Sequence, residues 1–238
     1  MMLDKRVGSI VDHQAVKAVN DAVAVVPAEH FSKYGGGWLD EISTSLVDAV
    51  FSIRAQYRST DPDRGVFGRL QKFRRDESGA RNDLRLLSSL GSDRIREIMG
   101  DSVTTKKLKA DAVVEAADRF VSQGVVRAED FLASDPAKMQ RVYTQVCGLG
   151  WVTFEYFSML LGRPGVKADT MITRFVNKAL SHAGLPNVDR HVASDLVIAS
   201  HDDLGLGESL SHFEHAIWLY ESDLSREQRG NEARGEAD

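Results

Sequence analysis

The segment VCGLGWVTFEYF, residues 146–157, decides the fold prediction. Gly148 and Gly150 flank one apolar residue, Leu149, and a helical pattern begins directly after them. Because glycine lets the backbone leave the right-handed region, one helix can end and another begin within these few residues. The amides that open the second helix can hold a DNA phosphate without reading base sequence. Taken alone, this pattern is much more typical of an ordinary turn between two helices.

The rest of the chain also has the apolar periodicity of helices. No stretch alternates cleanly as a strand would, and no internal repeat is present. The sequence therefore predicts an all-α, two-lobed helical bundle of roughly ten helices with a helix-hairpin-helix motif. The predicted helices cover about 12–25, 38–56, 64–75, 81–90, 92–99, 104–122, 136–146, 151–161, 170–183, 188–200 and 208–222.

Composition excludes several classes of protein. The 238 residues contain one cysteine, Cys147, which rules out an internal disulfide and an iron–sulfur cluster held by four cysteines. No apolar run reaches the roughly 18 residues of a membrane span, so no membrane contact is predicted. The first residues lack an apolar signal core, and we expect a cytoplasmic protein.

Charge is distributed unevenly along the chain, whose formal net charge is -5. Net negative charge argues mildly against a nucleic-acid partner, but segregated charge makes the total a poor guide. Residues 51–75 are rich in arginine and lysine, and the segment after Tyr220 is rich in acid. Lys106, Lys107 and Lys109 form a second basic cluster. Solvated helix faces are the alternative explanation for both basic segments.

An aspartate follows the glycine turn at a characteristic distance. Asp169 lies 17 positions after Val152, within Lys167-Ala168-Asp169-Thr170, and Arg174 follows it. This order resembles the HhH-GPD superfamily, which includes endonuclease III, the adenine glycosylase MutY and the alkyladenine glycosylases. The segment GLGWVTFEYFSMLLGRP, residues 148–164, is most similar to the alkyladenine branch.

The resemblance extends over about residues 38–222, through three further helical segments. These are LVDAVFSIRAQYRST at 46–60, LKADAVVEAADRF at 108–120 and HFEHAIWLYESD at 212–223. It implies a barrel-like helical domain at 45–164, ending in the hairpin, and a terminal helical domain formed by 1–44 plus 165–238. DNA and a flipped base are expected between them.

The resemblance also implies site residues. Asp169 would be catalytic, stabilising positive charge on the sugar and orienting or deprotonating a water; Asp is equally a good helix cap. The implied DNA-binding residues are Gly148, Leu149, Gly150, Val152, Thr153, Gln56, Tyr57 and Arg174. The implied base pocket, for which core packing is the alternative, consists of Trp151, Tyr156, Trp38 and Trp218.

Two departures from the family pattern limit the chemistry. Val152 stands where bifunctional members carry a lysine, so attack through a Schiff base is not expected. Cys147 stands where the family usually has proline. No metal or other cofactor is predicted, because His212, His215 and His201 lack a full ligand set.

The sequence thus predicts a monomeric protein that binds double-stranded DNA. It would act as a monofunctional glycosylase on a damaged or modified base. A catalytically inactive DNA-binding or lesion-sensing member of the same fold is the alternative. A helical domain that binds proteins rather than DNA is a third, less favoured reading.

Overall fold

A computed structural model of the chain describes residues 12–61 and 64–235, with side chains described up to residue 224. The described residues form helices and no strand; an isolated bridge pairs Val103 with Leu108. No helix in this part of the chain has the length and apolarity needed to cross a membrane. The α-helices are α1 (His13–Val23), α2 (Ile42–Phe51), α3 (Gly65–Asp76), α4 (Leu84–Met99), α5 (Lys109–Ser122), α6 (Ala128–Ala133), α7 (Pro136–Thr144), α8 (Trp151–Leu160), α9 (Thr170–His182), α10 (Arg190–Leu204) and α11 (Leu210–Gly235).

The predicted helices differ from the observed ones mainly at their ends. Residues 104–108, predicted as the first turn of α5, are not helical, because the bridge from Val103 to Leu108 occupies them. The early helix is shorter than predicted and ends at Phe51. The predicted break at Gly91 is a kink within α4, where Gly91 has φ of +72°. Short 3₁₀ helices at Ala28–Ser32 and Ser78–Ala80 were not predicted.

The chain divides into two compact units. The central unit is Gly36–Arg163, and the terminal unit combines Met1–Gly35 with Pro164–Asp238. The central unit contains α2 to α8, while the terminal unit contains α1, α9, α10, α11 and the 3₁₀ helix Ala28–Ser32.

The central unit is built around a fully buried aromatic cluster. Phe120 of α5 contacts Phe131, Tyr143 and Phe157 at ring-centroid distances of 5.7–6.3 Å. These side chains come from α5, α6, α7 and α8, so burial of their large apolar area joins four helices. The two ends of the unit also meet: Trp38 N donates to Leu160 O at 2.6 Å.

The terminal unit is held together by apolar faces of its helices. Val19 of α1, Ile172 and Val176 of α9, Val197 of α10 and Ile217 of α11 are completely buried. Helix α11 packs against α9, α10 and the 3₁₀ helix Ala28–Ser32. This packing fixes the side chains of α11 that face the loop before α9.

Candidate active site

The glycine turn between α7 and α8 requires glycine for two separate reasons. Gly148 has a φ of +90°, a backbone conformation that residues other than glycine rarely adopt. A Cβ atom at Gly148 would also lie 2.3 Å from Thr104 Oγ1. Leu149 is buried in the core of the central unit, so it anchors the turn rather than facing solvent.

Thr153 closes the start of α8. Its hydroxyl accepts from Gly150 N at 3.1 Å and donates to Gly150 O at 2.8 Å. The first backbone hydrogen bond of the helix runs from Phe154 N to Gly150 O at 3.0 Å. The amides of residues 151–153 therefore lie at the positive end of the helix dipole. Trp151 and Val152 are half-buried there.

Asp169 caps α9 in the terminal unit. Its Oδ1 accepts from Met171 N at 2.8 Å and from Ile172 N at 3.3 Å. In the preceding loop Val166 and Ala168 are buried, whereas Lys167 and Asp169 are half-buried. This alternation turns the lysine and the aspartate away from the core. The two amides and the helix dipole stabilise negative charge on Asp169.

Trp218 of α11 holds the second carboxylate oxygen of Asp169. The indole Nε1 donates to Oδ2 over 3.2 Å. The ring of His215 lies parallel to Trp218 at a centroid distance of 5.9 Å, and Tyr34 lies 5.2 Å from His215. Asp169 is thus bordered by an aromatic surface within its own unit.

Three other predicted site residues surround a different carboxylate, Asp48 of α2, which is fully buried. Asp48 Oδ2 accepts from Trp38 Nε1 at 2.8 Å and from the Tyr57 hydroxyl at 2.9 Å. Asp48 Oδ1 accepts from Ser52 Oγ at 2.8 Å and from the Tyr156 hydroxyl at 3.5 Å. The polar atoms of Trp38, Tyr57 and Tyr156 are therefore engaged inside the central unit, which favours a structural role for them.

The remaining predicted residues lie on surfaces. The Gln56 side chain is exposed after α2, and its backbone oxygen accepts from Val66 N at 3.1 Å. Arg174 Nη1 lies 3.6 Å from Glu221 Oε1. Among the described residues no group of three or more histidine, cysteine or acidic side chains is arranged to hold a metal ion.

Comparison with known proteins assigns the chain to a family. A family model described as a domain of unknown function (DUF8548) matches residues 14–222. The chain belongs to this family. No curated protein matches the sequence.

Solved structures that match this DUF8548 domain include a DNA glycosylase. It is Schizosaccharomyces pombe 3-methyladenine DNA glycosylase (Mag1) in complex with abasic DNA. The match has a TM-score of 0.51 and 15% sequence identity, and covers 85% of this chain and 95% of that chain. At this identity the likeness establishes the fold alone. The all-α fold predicted from the sequence is confirmed.

Several positive charges in the basic segments of the DUF8548 domain are buried or paired with acidic side chains. Lys109 is 2% exposed, and its Nζ donates to Phe51 O and Ile53 O at the end of α2. It is therefore a buried helix cap, so the interpretation of 106–109 as a basic surface cluster is wrong for this residue. Lys107 pairs with Glu115. A cavity of about 320 Å³ at the start of α3 is lined by Arg58, Arg64, Lys72 and Arg75 together with Asp61.

Sequence reasoning missed the ionisable residues around Asp169. The pKa of Glu214 is raised to about 8, mainly by burial; Lys167 opposes this rise and Asp169 contributes to it. Burial lowers the pKa of His215 to about 4, aided by His212, Lys167 and His30, so the imidazole is neutral at pH 7. One signal was available: Glu214, His215 and Trp218 stand at helical spacing in HFEHAIWLYESD. Only the packing of α11 shows that this face is buried.

Proposed function

We propose that this domain binds duplex DNA and hydrolyses the N-glycosidic bond of a damaged or modified base, with Asp169 as the catalytic carboxylate. The observation that carries the proposal is the arrangement of Asp169. Two backbone amides and the Trp218 indole fix its carboxylate at a helix N-terminus, in a fold similar to that of a DNA glycosylase.

The hydrogen bonds of Asp169 suit this role. A carboxylate offers about four acceptor positions. Met171 N, Ile172 N and Trp218 Nε1 occupy three of them. The remaining position can accept a proton from a water molecule. The negative charge can also stabilise the positive charge that develops on the sugar as the bond to the base breaks.

The start of α8 supports the proposed contact with DNA. The target base must leave the helical stack, so the enzyme has to grip the backbone without reading sequence. The amides of residues 151–153 are placed for such a grip, because Thr153 engages Gly150 and keeps the first turn of α8 in shape. The exposed Gln56 is the proposed contact at the opened strand.

Chemistry at this site would leave the DNA strand intact. Val152 has no amine, so the sugar cannot form an imine at the hairpin and the product is an abasic site. Incubation with borohydride should therefore trap no covalent complex on a substrate duplex. A trapped adduct would show that a lysine acts as nucleophile and would overturn the proposed hydrolytic mechanism.

A DNA-binding protein without turnover is the second candidate. The net charge of -5 favours it, as does the absence of a lysine at position 152. Both candidates predict binding that weakens steeply with salt. Release of free base from duplexes carrying alkylated, deaminated or oxidised bases separates them. Binding that is insensitive to salt contradicts both.

A further inference from the structure

Two glutamates in the described part of helix α11 are buried, in opposite situations. Glu221 is 1% exposed and is compensated by Lys178 Nζ at 2.8 Å and by Arg174 Nη1 at 3.6 Å. Glu214 is 4% exposed, and its Oε1 has no hydrogen-bond partner in the described part of the chain. A buried carboxyl oxygen without a partner is costly, and ionisation increases the cost. The pairing of Glu221 explains its burial, whereas packing leaves the burial of Glu214 unexplained.

Glu214 belongs to the surroundings of Asp169. It precedes Trp218 by four residues, so both side chains lie on one face of α11. Trp218 contacts Asp169 directly at 3.2 Å. Besides the effect of burial, the Lys167 charge lowers the pKa of Glu214 and the Asp169 charge raises it.

His215 of α11 does not supply a compensating positive charge to Glu214 at neutral pH. His215 is neutral there because burial lowers its pKa to about 4. The 3₁₀ helix Ala28–Ser32 contributes His30, which is buried with Nδ1 unpartnered among the described residues. The groups that face this part of α11 are His30 and Tyr34 before α2, Lys167 and Asp169 before α9, His201 of α10, and His212 and His215 of α11 itself.

We propose that Glu214 is a positioning residue of the Asp169 site. It is a buried carboxylic acid that keeps its proton at neutral pH, so that it adds no second negative charge beside Asp169 and Lys167. The catalytic meaning of this inference rests on the proposed function of Asp169. The protonation of Glu214 itself does not. Burial of Glu214 with an unpartnered oxygen disfavours its ionised form, and the Asp169 charge adds to this penalty, so Glu214 keeps its proton.

Loss of the Glu214 proton should switch the site off at alkaline pH. A second negative charge would then compete with Asp169 for Lys167 and would repel DNA phosphates. Base release should therefore decline as Glu214 ionises. Glu214→Gln keeps a neutral side chain of the same shape, so its base release should lack this decline. A purely structural glutamate would not change the pH profile in this way.

The direct test is a carbon-13 NMR titration of the full chain labelled at glutamate carboxyl carbons. We expect one resonance with a midpoint near pH 8, absent from Glu214→Gln. Glu155→Gln assigns the resonance of Glu155, a second glutamate whose pKa is raised, mainly by burial. Glu221→Gln should leave the Glu214 resonance in place, which makes it the matched control.

Coupling is tested by changing the two neighbouring charges. Asp169→Asn should lower the Glu214 midpoint by about one pH unit or more, and Lys167→Met should raise it. A Glu214 midpoint below pH 6, or one that Asp169→Asn leaves unchanged, overturns the inference even if the protein releases bases. If the titration behaves as expected but no base is released, the proposed function fails while the protonated state of Glu214 stands. The catalytic meaning of the inference then falls with that function.

Discussion

Each unit of the molecule contains an aspartate that accepts a hydrogen bond from a tryptophan indole. The two sites differ in how many acceptor positions of the carboxylate are occupied. In the central unit Asp48 is fully buried and receives four side-chain donors. In the terminal unit Asp169 is half-buried and receives two backbone amides and one indole. The first carboxylate is saturated, while the second keeps one acceptor position open.

This difference shows how to separate a structural carboxylate from a reactive one. A buried carboxylate whose acceptor positions are all hydrogen-bonded stabilises the surrounding core as long as each donor keeps its acceptor. Such a carboxylate has no free acceptor position for a substrate or a water molecule. A carboxylate fixed mainly by backbone amides keeps its orientation at little cost to the core. Substitution should therefore affect stability at Asp48 and activity at Asp169.

The largest effect on stability is expected at Asp48. Asp48→Asn places an amide NH₂ group among the Trp38, Tyr57 and Tyr156 donors, so buried donors lose their acceptor. We expect the free energy of unfolding to fall by about 3–5 kcal/mol. Asp169→Asn should cost only about 0.5–1.5 kcal/mol, since Asn still caps α9 and loses only the hydrogen bond from Trp218. Urea unfolding measures both, and equal losses would remove the contrast between the two sites.

The next largest effect is expected at Glu214 of the terminal unit, as a dependence of stability on pH. The folded state holds the Glu214 proton up to about pH 8, whereas the unfolded chain releases it near pH 4.5. Stability should therefore fall as pH rises between these values, by at most about 1.4 kcal/mol per pH unit. Glu214→Gln should remove that slope in urea unfolding at pH 5, 6.5 and 8. If the Glu214→Gln variant keeps the same slope of stability against pH, that slope arises from other groups.

A smaller loss is expected in the glycine turn. Gly148→Ala combines a φ of +90° with a close approach to Thr104, and should cost about 1–3 kcal/mol and weaken DNA binding. Gly150→Ala is the matched control, because its φ is -132° and no atom lies within 4 Å of an added Cβ. Thermal melts and DNA titrations of both variants check this. Equal behaviour of the two would show that the turn tolerates side chains.

The smallest effect should follow removal of the indole donor. Trp218→Phe deletes the hydrogen bond to Asp169, and we expect a loss of about 0.5–1.5 kcal/mol. Trp38→Phe, which removes an indole donor from the fully buried Asp48, should cost more. The order of the two losses in urea unfolding tests the contrast, and a reversed order would contradict it.

The sequence was sufficient for the fold because local signals were strong. Helical periodicity, the break at Gly91 and the capping aspartate at Asp169 all appear in the structure. Residues 104–108 were predicted as helix from their composition, but a local bridge between Val103 and Leu108 holds them in a turn. Helix propensity alone does not register such a bridge.

The surroundings of the two aspartates could not be predicted in the same way. Trp38 and Tyr156 are 118 positions apart in the chain, and both donate to Asp48. The pKa of Glu214 depends on burial, which sequence spacing does not reveal. What spacing did supply was Asp169 at the start of a helix, and its contact with Trp218 appeared only with the packing of α11.

The measurement that tests the central claim most directly is base release by wild type, Asp169→Asn and Asp189→Asn. Asp189 caps α10 through His191 N and Val192 N as Asp169 caps α9, so it reproduces the cap. On a duplex that wild type processes, we predict that Asp169→Asn abolishes base release with DNA affinity equal or higher, while Asp189→Asn keeps full turnover. Full turnover by Asp169→Asn would contradict the account and leave Asp169 as a helix cap alone.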